Sequence, residues 1–343
     1  MQGSRYLLLD AMRGIGAIAV IHFHANHVYP IGLSGYVAVD FFFGLSGFVL
    51  TRSYSDKLAG GLSPLQFMIA RFNRLYPLYI TGLILGIMLY AYSLRVGTEL
   101  MSSIPAATVS AIFNAMMLPS PLPLENFFPF NPPGWSLFCE MCISGVFCLF
   151  LFQRSARTLL LISCVAAALL VMAILKADWL GGWNWSNFHI GILRVVFSFS
   201  FGSYVAKTAK PRIRSAASIG LCAALILVFY MPHGTESTVI LSIPSIVIAC
   251  PLILWLAVRY EVPVSFDRLS KALGDISFPL YAIHLPLIPI AVKVASLSPY
   301  SHPAVRMAIV TALLVAAAYV VNLVLMGALA RVRIFDAKQA QAQ

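Results

Sequence analysis

LLLDAMRGIGAIAVIHFHANH, residues 7–27, is long and apolar enough to cross a bilayer, yet it carries Asp10, Arg13 and three histidines. About 20 apolar residues in a helix span the hydrocarbon core, and an ionisable group deep in such a span costs on the order of 3 kcal/mol on insertion scales. Such groups face a protein interior or an aqueous cavity rather than lipid. At the helical period of 3.6 residues, Arg13 and His24 fall within about 20° of each other, with Asp10 one turn before Arg13. His22 lies about 200° from His24. One polar stripe therefore holds Arg13 and only one of these two imidazoles.

The rest of the chain repeats the apolar theme. Of its 343 residues, 60% are hydrophobic and 10% charged, against roughly 25% charged in soluble domains. The composition predicts an all-α integral membrane protein. No polar stretch is long enough to fold as a separate soluble domain, so residues 1–343 read as one transmembrane domain. Spans are expected at 8–28, 35–52, 77–95, 134–152, 158–175, 190–206, 215–232, 238–258, 275–297 and 304–330.

Lys and Arg cluster after the second span (Arg52, Lys57, Arg71, Arg74), at 154–157, at 207–214, at 259–271 and at 331–338. All five clusters can be cytoplasmic only if the apolar stretch 104–118 fails to cross. The expectation is a bundle of about ten transmembrane helices with both termini inside. Residues 104–118 are expected to form a short non-crossing helix on the outer side, with a tilted span as the alternative, and the Pro-rich loop 119–133 is expected outside too. In SPLQFMIARFNRLYP (63–77), Ser63 caps a helix that starts at Pro64, with Leu65, Met68, Phe72 and Leu75 on one face. This reads as an interfacial basic helix presenting Arg71 and Arg74 at the inner surface, or more plainly as a positive-inside anchor.

The net charge of +11 is assigned to topology and anionic membrane lipids, not nucleic acid. The six cysteines lie in apolar segments and read as packing groups; Cys139 and Cys142 lack the βαβ context of a redox pair. Metal-ligand spacing is absent. Asp10 and Arg13 interrupt the first apolar run, so that run reads as a retained helix rather than a cleaved signal.

Counting inward from the expected outer helix ends puts His24, Asp40 and Glu140 each about 8–9 Å deep, and Arg13 roughly 16 Å further toward the cytoplasm. The layout predicts a conduit with a cationic inner mouth (Arg13, Arg71, Arg74) and a His/carboxylate cluster near its outer mouth. In the alternative, Asp10 pairs with Arg13 while Asp40 and Glu140 bond to neighbouring helices to hold the bundle. Arg194 and His284 are weaker candidates, one open to snorkelling or pairing and the other to helix packing.

Five blocks in order, LDAMRGIGAIAVIHFHA (9–25), GYVAVDFFFGLSGFVLT (35–51), FMIARFNRLYPLY (67–79), GWSLFCEM (134–141) and ISFPLYAIHLPL (276–287), resemble the acyltransferase family 3 membrane proteins. That family includes bacterial O-acetyltransferases of surface polysaccharides, lipopolysaccharide and nodulation factors. Its pattern of Arg followed eleven residues later by His selects Arg13 and His24 over His22. Its other blocks point to Asp40 and Ser46, to Arg71, Arg74 and Pro77, to Trp135, Ser136 and Glu140, and to Tyr281 and His284. Ala11 and Met12 depart from the usual D-G-L-R.

The resemblance implies transfer of an acyl group, usually acetyl, from cytoplasmic acyl-CoA to a sugar hydroxyl of a glycan or glycolipid outside the bacterial inner membrane. No permanently bound cofactor is implied. The chain acts alone or with a separate polysaccharide-assembly partner. Arg13, Arg71 and Arg74 suit the phosphates of coenzyme A. His24 is the expected base, oriented by Glu140 or Asp40, and Trp135, Ser136, Tyr281 and His284 would contact substrate. Residue chemistry alone also fits a proton-coupled transporter of a small anion, against which the lack of an internal repeat weighs.

Overall fold

The computed structural model describes residues 5–26, 28, 34–97, 103–177, 180–231, 242–300 and 302–340. Within them the chain runs through α1 (Leu7–Ala25), α2 (Ala38–Ala59), α3 (Pro64–Val96), α4 (Ile104–Ala115), α5 (Gly134–Leu151), α6 (Ala156–Ala177), α7 (Phe188–Thr208), α8 (Ala217–Phe229), α9 (Ser242–Ala257), α10 (Asp267–Ser296) and α11 (Pro303–Ala340). The only strands among the described residues are β1 (Ile213–Arg214) and β2 (Tyr260–Glu261), paired parallel with Ile213 opposite Tyr260. The protein is an all-α membrane protein.

Seven helices, α1, α3, α5, α6, α7, α10 and α11, are long and apolar enough to cross a bilayer. The remaining expected spans fall on α2, α8 and α9, which do not reach that length and hydropathy together. Helix α4, also apolar but only 12 residues long, rises about 18 Å. The stretch 232–241, in which the span at 238–258 was expected to begin, and His27 lie outside the described residues.

Helix α1 lies along α10, α2 along α7, and α6 and α11 flank α7 and α10 from outside. Burial grades accordingly: the apolar windows of α1 and α7 are 61% buried, those of α6 and α11 only 28% and 17%. The outer pair exposes aliphatic side chains such as Leu161, Met172, Leu323 and Val324, as a lipid-facing surface requires. Helix α5 packs between α3 and α7, and α3 runs beside α10.

The α2–α7 contact depends on small residues. A Cβ at Gly47 would overlap the Phe199 carbonyl, and one at Gly202 would overlap that of Gly44, so G-x-x-G at 44–47 brings two backbones together. Gly47→Val is expected to destabilise the protein by at least about 1–3 kcal/mol, read as a lowered thermal midpoint in detergent. Gly145→Ala, which meets nothing within 4 Å, should leave the midpoint unchanged; equal loss in both would rule out this crossing as the cause.

One expectation needs correction. The basic segment 63–77 is not a separate interfacial helix but the first half of α3, a single helix of 33 residues that continues through Pro77. Ser63 and Gln66 form the capping box at its start. Thr81 Oγ1 donates to the Pro77 carbonyl one turn on. The inward face is Phe67, Arg71, Leu75 and Tyr79, so Arg71 points into the bundle rather than along the membrane surface.

Part of the loop 119–133 packs into the protein. Ser120, Phe127, Phe128 and Asn131 are buried, and Asn114 Nδ2 holds the loop through the carbonyls of Leu118 and Phe127. Helix α5 therefore starts inside the protein.

Candidate active site

A cavity of about 310 Å³ lies among α1, α2, α3, α5 and α10, and Arg13, Arg71, Arg74 and Glu140 all line it. Arg71, 4% exposed, donates through Nη2 to Glu140 Oε1. The same oxygen accepts from Ser46 Oγ at 2.9 Å. Among the described residues, Arg71 Nε is buried without an acceptor. An unsatisfied guanidinium N–H is costly, so this edge of the cavity favours an incoming acceptor atom.

Arg13 is held on three sides. Its Nε donates to Ser277 Oγ (2.8 Å), and its Nη2 to Asp10 Oδ1 (3.0 Å) and the Gly274 carbonyl (2.9 Å). Asp10 also accepts from Arg5, which reaches Asp275 at 2.7 Å. The Asp10–Arg13 pairing and the placement of Arg13 on the cavity thus coexist. Arg74 is exposed, lines the same cavity, and makes no ion pair or side-chain hydrogen bond among the described residues.

Tyr281 and Ser136 form another part of the wall, their hydroxyls 2.6 Å apart. The ring of Tyr281 also meets that of His284, with centroids 5.8 Å apart. Beyond it, His284 Nε2 lies 3.0 Å from His24 Nδ1, and His284 Nδ1 lies 2.8 Å from the Tyr281 carbonyl oxygen. His284 is fully buried and His24 half-buried. Neither imidazole lines the cavity; Tyr281 touches both the cavity and the pair.

The turn that carries Tyr281 and His284 is fixed from outside its helix. Pro286 has no N–H for the Ala282 carbonyl four residues earlier, and Asn131 Nδ2 donates there instead, at 2.9 Å. Asn131 was not anticipated. The proline in a helical pattern signals an orphaned carbonyl, but not which distant side chain answers it.

The expected cluster of His24 with Asp40 and Glu140 does not form. Asp40 takes a bidentate bond from Arg194 Nε (3.0 Å) and Nη2 (2.7 Å), with the two side chains 0% and 2% exposed. Helix α2 turns this carboxylate toward α7 rather than α1. Glu140 is taken by Arg71 and Ser46. His24 Nδ1 faces His284 across that 3.0 Å contact.

Trp135 does not line the cavity either: it is buried with the Arg194 guanidinium 5.2 Å from its ring, where it supports the ion pair. His22, on the far side of α1, bridges Thr311 (2.8 Å) and Tyr230 (2.7 Å). The six cysteines are free thiols.

The cavity thus offers guanidinium donors beside a hydroxyl-bearing wall, with an imidazole pair behind it. Residues 6–330 match the acyltransferase domain of acyltransferase family 3. The chain is 35% identical over 180 residues to protein 2 of the picA locus of Rhizobium radiobacter, covering 49% of this chain and 94% of that one. It is 29% identical over 107 residues to the peptidoglycan O-acetyltransferase OatA of Listeria monocytogenes. It is 34% identical over 110 residues to the acyltransferase MdmB of Streptomyces mycarofaciens. Each of the last two matches covers 31% of this chain, but only 16% and 26% of those proteins. No solved structure matches. The chain belongs to acyltransferase family 3 and is a membrane acyltransferase.

Proposed function

We propose that the protein moves an acetyl group from cytoplasmic acetyl-CoA to a sugar hydroxyl of an extracytoplasmic glycan or glycolipid, within the bacterial inner membrane and with both termini cytoplasmic. The observation that carries this reading is the cavity shared by Arg13, Arg71 and Arg74, a donor set suited to the phosphates of coenzyme A. The peptidoglycan O-acetyltransferase among the relatives supports a glycan acceptor, and the five Lys/Arg clusters support the orientation.

In the proposed reaction the acceptor hydroxyl loses its proton to His24 as its oxygen bonds to the thioester carbonyl carbon. The carbon–sulfur bond then breaks, and the thiolate of coenzyme A leaves and takes up a proton. A sugar hydroxyl is a poor nucleophile at neutral pH, which is why a positioned neutral imidazole matters. Tyr281, in contact with both the cavity and His284, marks where donor and base approach one another. Ser136, bonded to Tyr281, shares that boundary.

The test is incubation of the purified protein in nanodiscs with labelled acetyl-CoA, read as release of free coenzyme A and as label on an added glycan. Solute uptake without coenzyme A release would overturn the reading. Arg74→Ala is the cleanest binding variant, because Arg71→Ala would also strip Glu140 of its ion-pair partner. Losing one charge-assisted contact, about 1.5–3 kcal/mol, should raise the KM for acetyl-CoA about tenfold or more with kcat unchanged. An unchanged KM would remove Arg74 from the phosphate site.

A further inference from the structure

Whether His24 can act as a base on a hydroxyl depends on which of its ring nitrogens carries hydrogen. We infer that His284 is a positioning residue that holds His24 in its Nδ1–H tautomer, so that Nε2 receives the proton of the acceptor hydroxyl. This rests on the reading of His24 as the base.

His284 Nδ1 faces the Tyr281 carbonyl oxygen at 2.8 Å, and a carbonyl only accepts, so Nδ1 carries hydrogen. The ring is 0% exposed, and among the described residues no carboxylate bonds to it, so a second proton would leave an uncompensated cation in the helix interior. His284 is therefore neutral and its Nε2 can only accept. Across the 3.0 Å to His24 Nδ1, His24 must be the donor. A neutral His24 then has its lone pair on Nε2, and any group that meets Nε2 does so by donating to it.

His284 fixes a tautomer rather than relaying protons. Its Nδ1–H is committed to a backbone carbonyl, which has no proton to pass on. The turn that carries it is anchored by Asn131 on the Ala282 carbonyl, so both bonds of His284 are made by a turn clamped to the loop before α5. The arrangement also explains why Asp40 and Glu140 can be committed to Arg194 and Arg71 without disorienting the base.

The test uses the full-length protein in nanodiscs with histidine labelled by nitrogen-15 in the ring, His24 being assigned by the signals lost in His24→Gln. The expected result is a His24 protonated on Nδ1 and bare on Nε2. His284→Leu should move His24 toward the Nε2–H form and lower kcat about 10²-fold, the scale of a misplaced reacting group, without changing the KM for acetyl-CoA. His284→Gln, whose side-chain oxygen can accept in place of Nε2, should restore the Nδ1–H form and most of the rate. A wild-type His24 protonated on Nε2 overturns the inference, and needs no variant to fold. Should His24→Gln remain fully active, the base reading falls and the positioning role with it; should it be inactive while wild-type His24 is protonated on Nε2, the positioning role alone falls.

Discussion

Replacing His24 with Ala is expected to slow acetyl transfer by about 10²–10⁴-fold, the contribution of a general base, while the KM for acetyl-CoA stays unchanged. The imidazole lies outside the arginine-lined cavity, so its loss removes proton transfer and leaves donor binding intact. His22→Ala provides the contrast on the same helix. It forfeits bonds to Thr311 and Tyr230 and is expected to destabilise the protein by about 1–3 kcal/mol, yet each folded molecule should turn over at the wild-type rate. Steady-state transfer of labelled acetyl, normalised to folded protein, distinguishes the two. Equal losses per folded molecule would mean that packing of α1, not the imidazole, sets the rate.

The second large effect concerns stability. Asp40→Ala leaves Arg194 charged, buried and partly orphaned, and the cost expected for breaking such a pair is about 3–5 kcal/mol. Arg194→Ala should cost a similar amount, and Trp135 would lose the cation beside its ring. Replacing both residues by apolar ones of similar volume, as in Asp40→Leu with Arg194→Met, should recover most of the thermal midpoint, because no uncompensated charge remains. The double variant should also recover acetyl transfer. A double variant that folds but is inactive would give Asp40 a chemical role that its pairing with Arg194 does not suggest.

Element identity was legible in the sequence because the apolar runs are long and the helix signals local: Ser63 with Pro64 and Gln66 marks the start of α3, and the polar stripe on α1 places Arg13 and His24 on chemically useful groups. The three arginines gather on one cavity, as their types and spacing suggested. What could not be read was relative depth. Counting from helix ends assumes that each helix begins at the membrane surface, and α5 begins beneath buried Phe127, Phe128 and Asn131. Glu140 on that helix bonds to Arg71 and Ser46 rather than to His24.

Lateral partners were equally hidden. Asp40 and Arg194 are 154 positions apart and His24 and His284 are 260 apart, and no local pattern links residues whose contact is set by which helices cross. Pro77 looked like a boundary between two helices, yet a proline within a membrane helix is tolerated where neighbours and side chains re-satisfy the freed groups. Ser277, which holds Arg13, stood in plain view as a polar residue in an apolar run. Only the approach of α10 to α1 gives it that role.

The most direct measurement is the position of a non-hydrolysable thioether analogue of acetyl-CoA bound to the protein in a nanodisc, determined by electron cryomicroscopy. The account predicts its phosphates against Arg71, Arg74 and Arg13, with the acyl end directed at Tyr281 and the His24–His284 pair beyond. Phosphates lodged away from these arginines, or an acyl end pointing away from Tyr281, would contradict it.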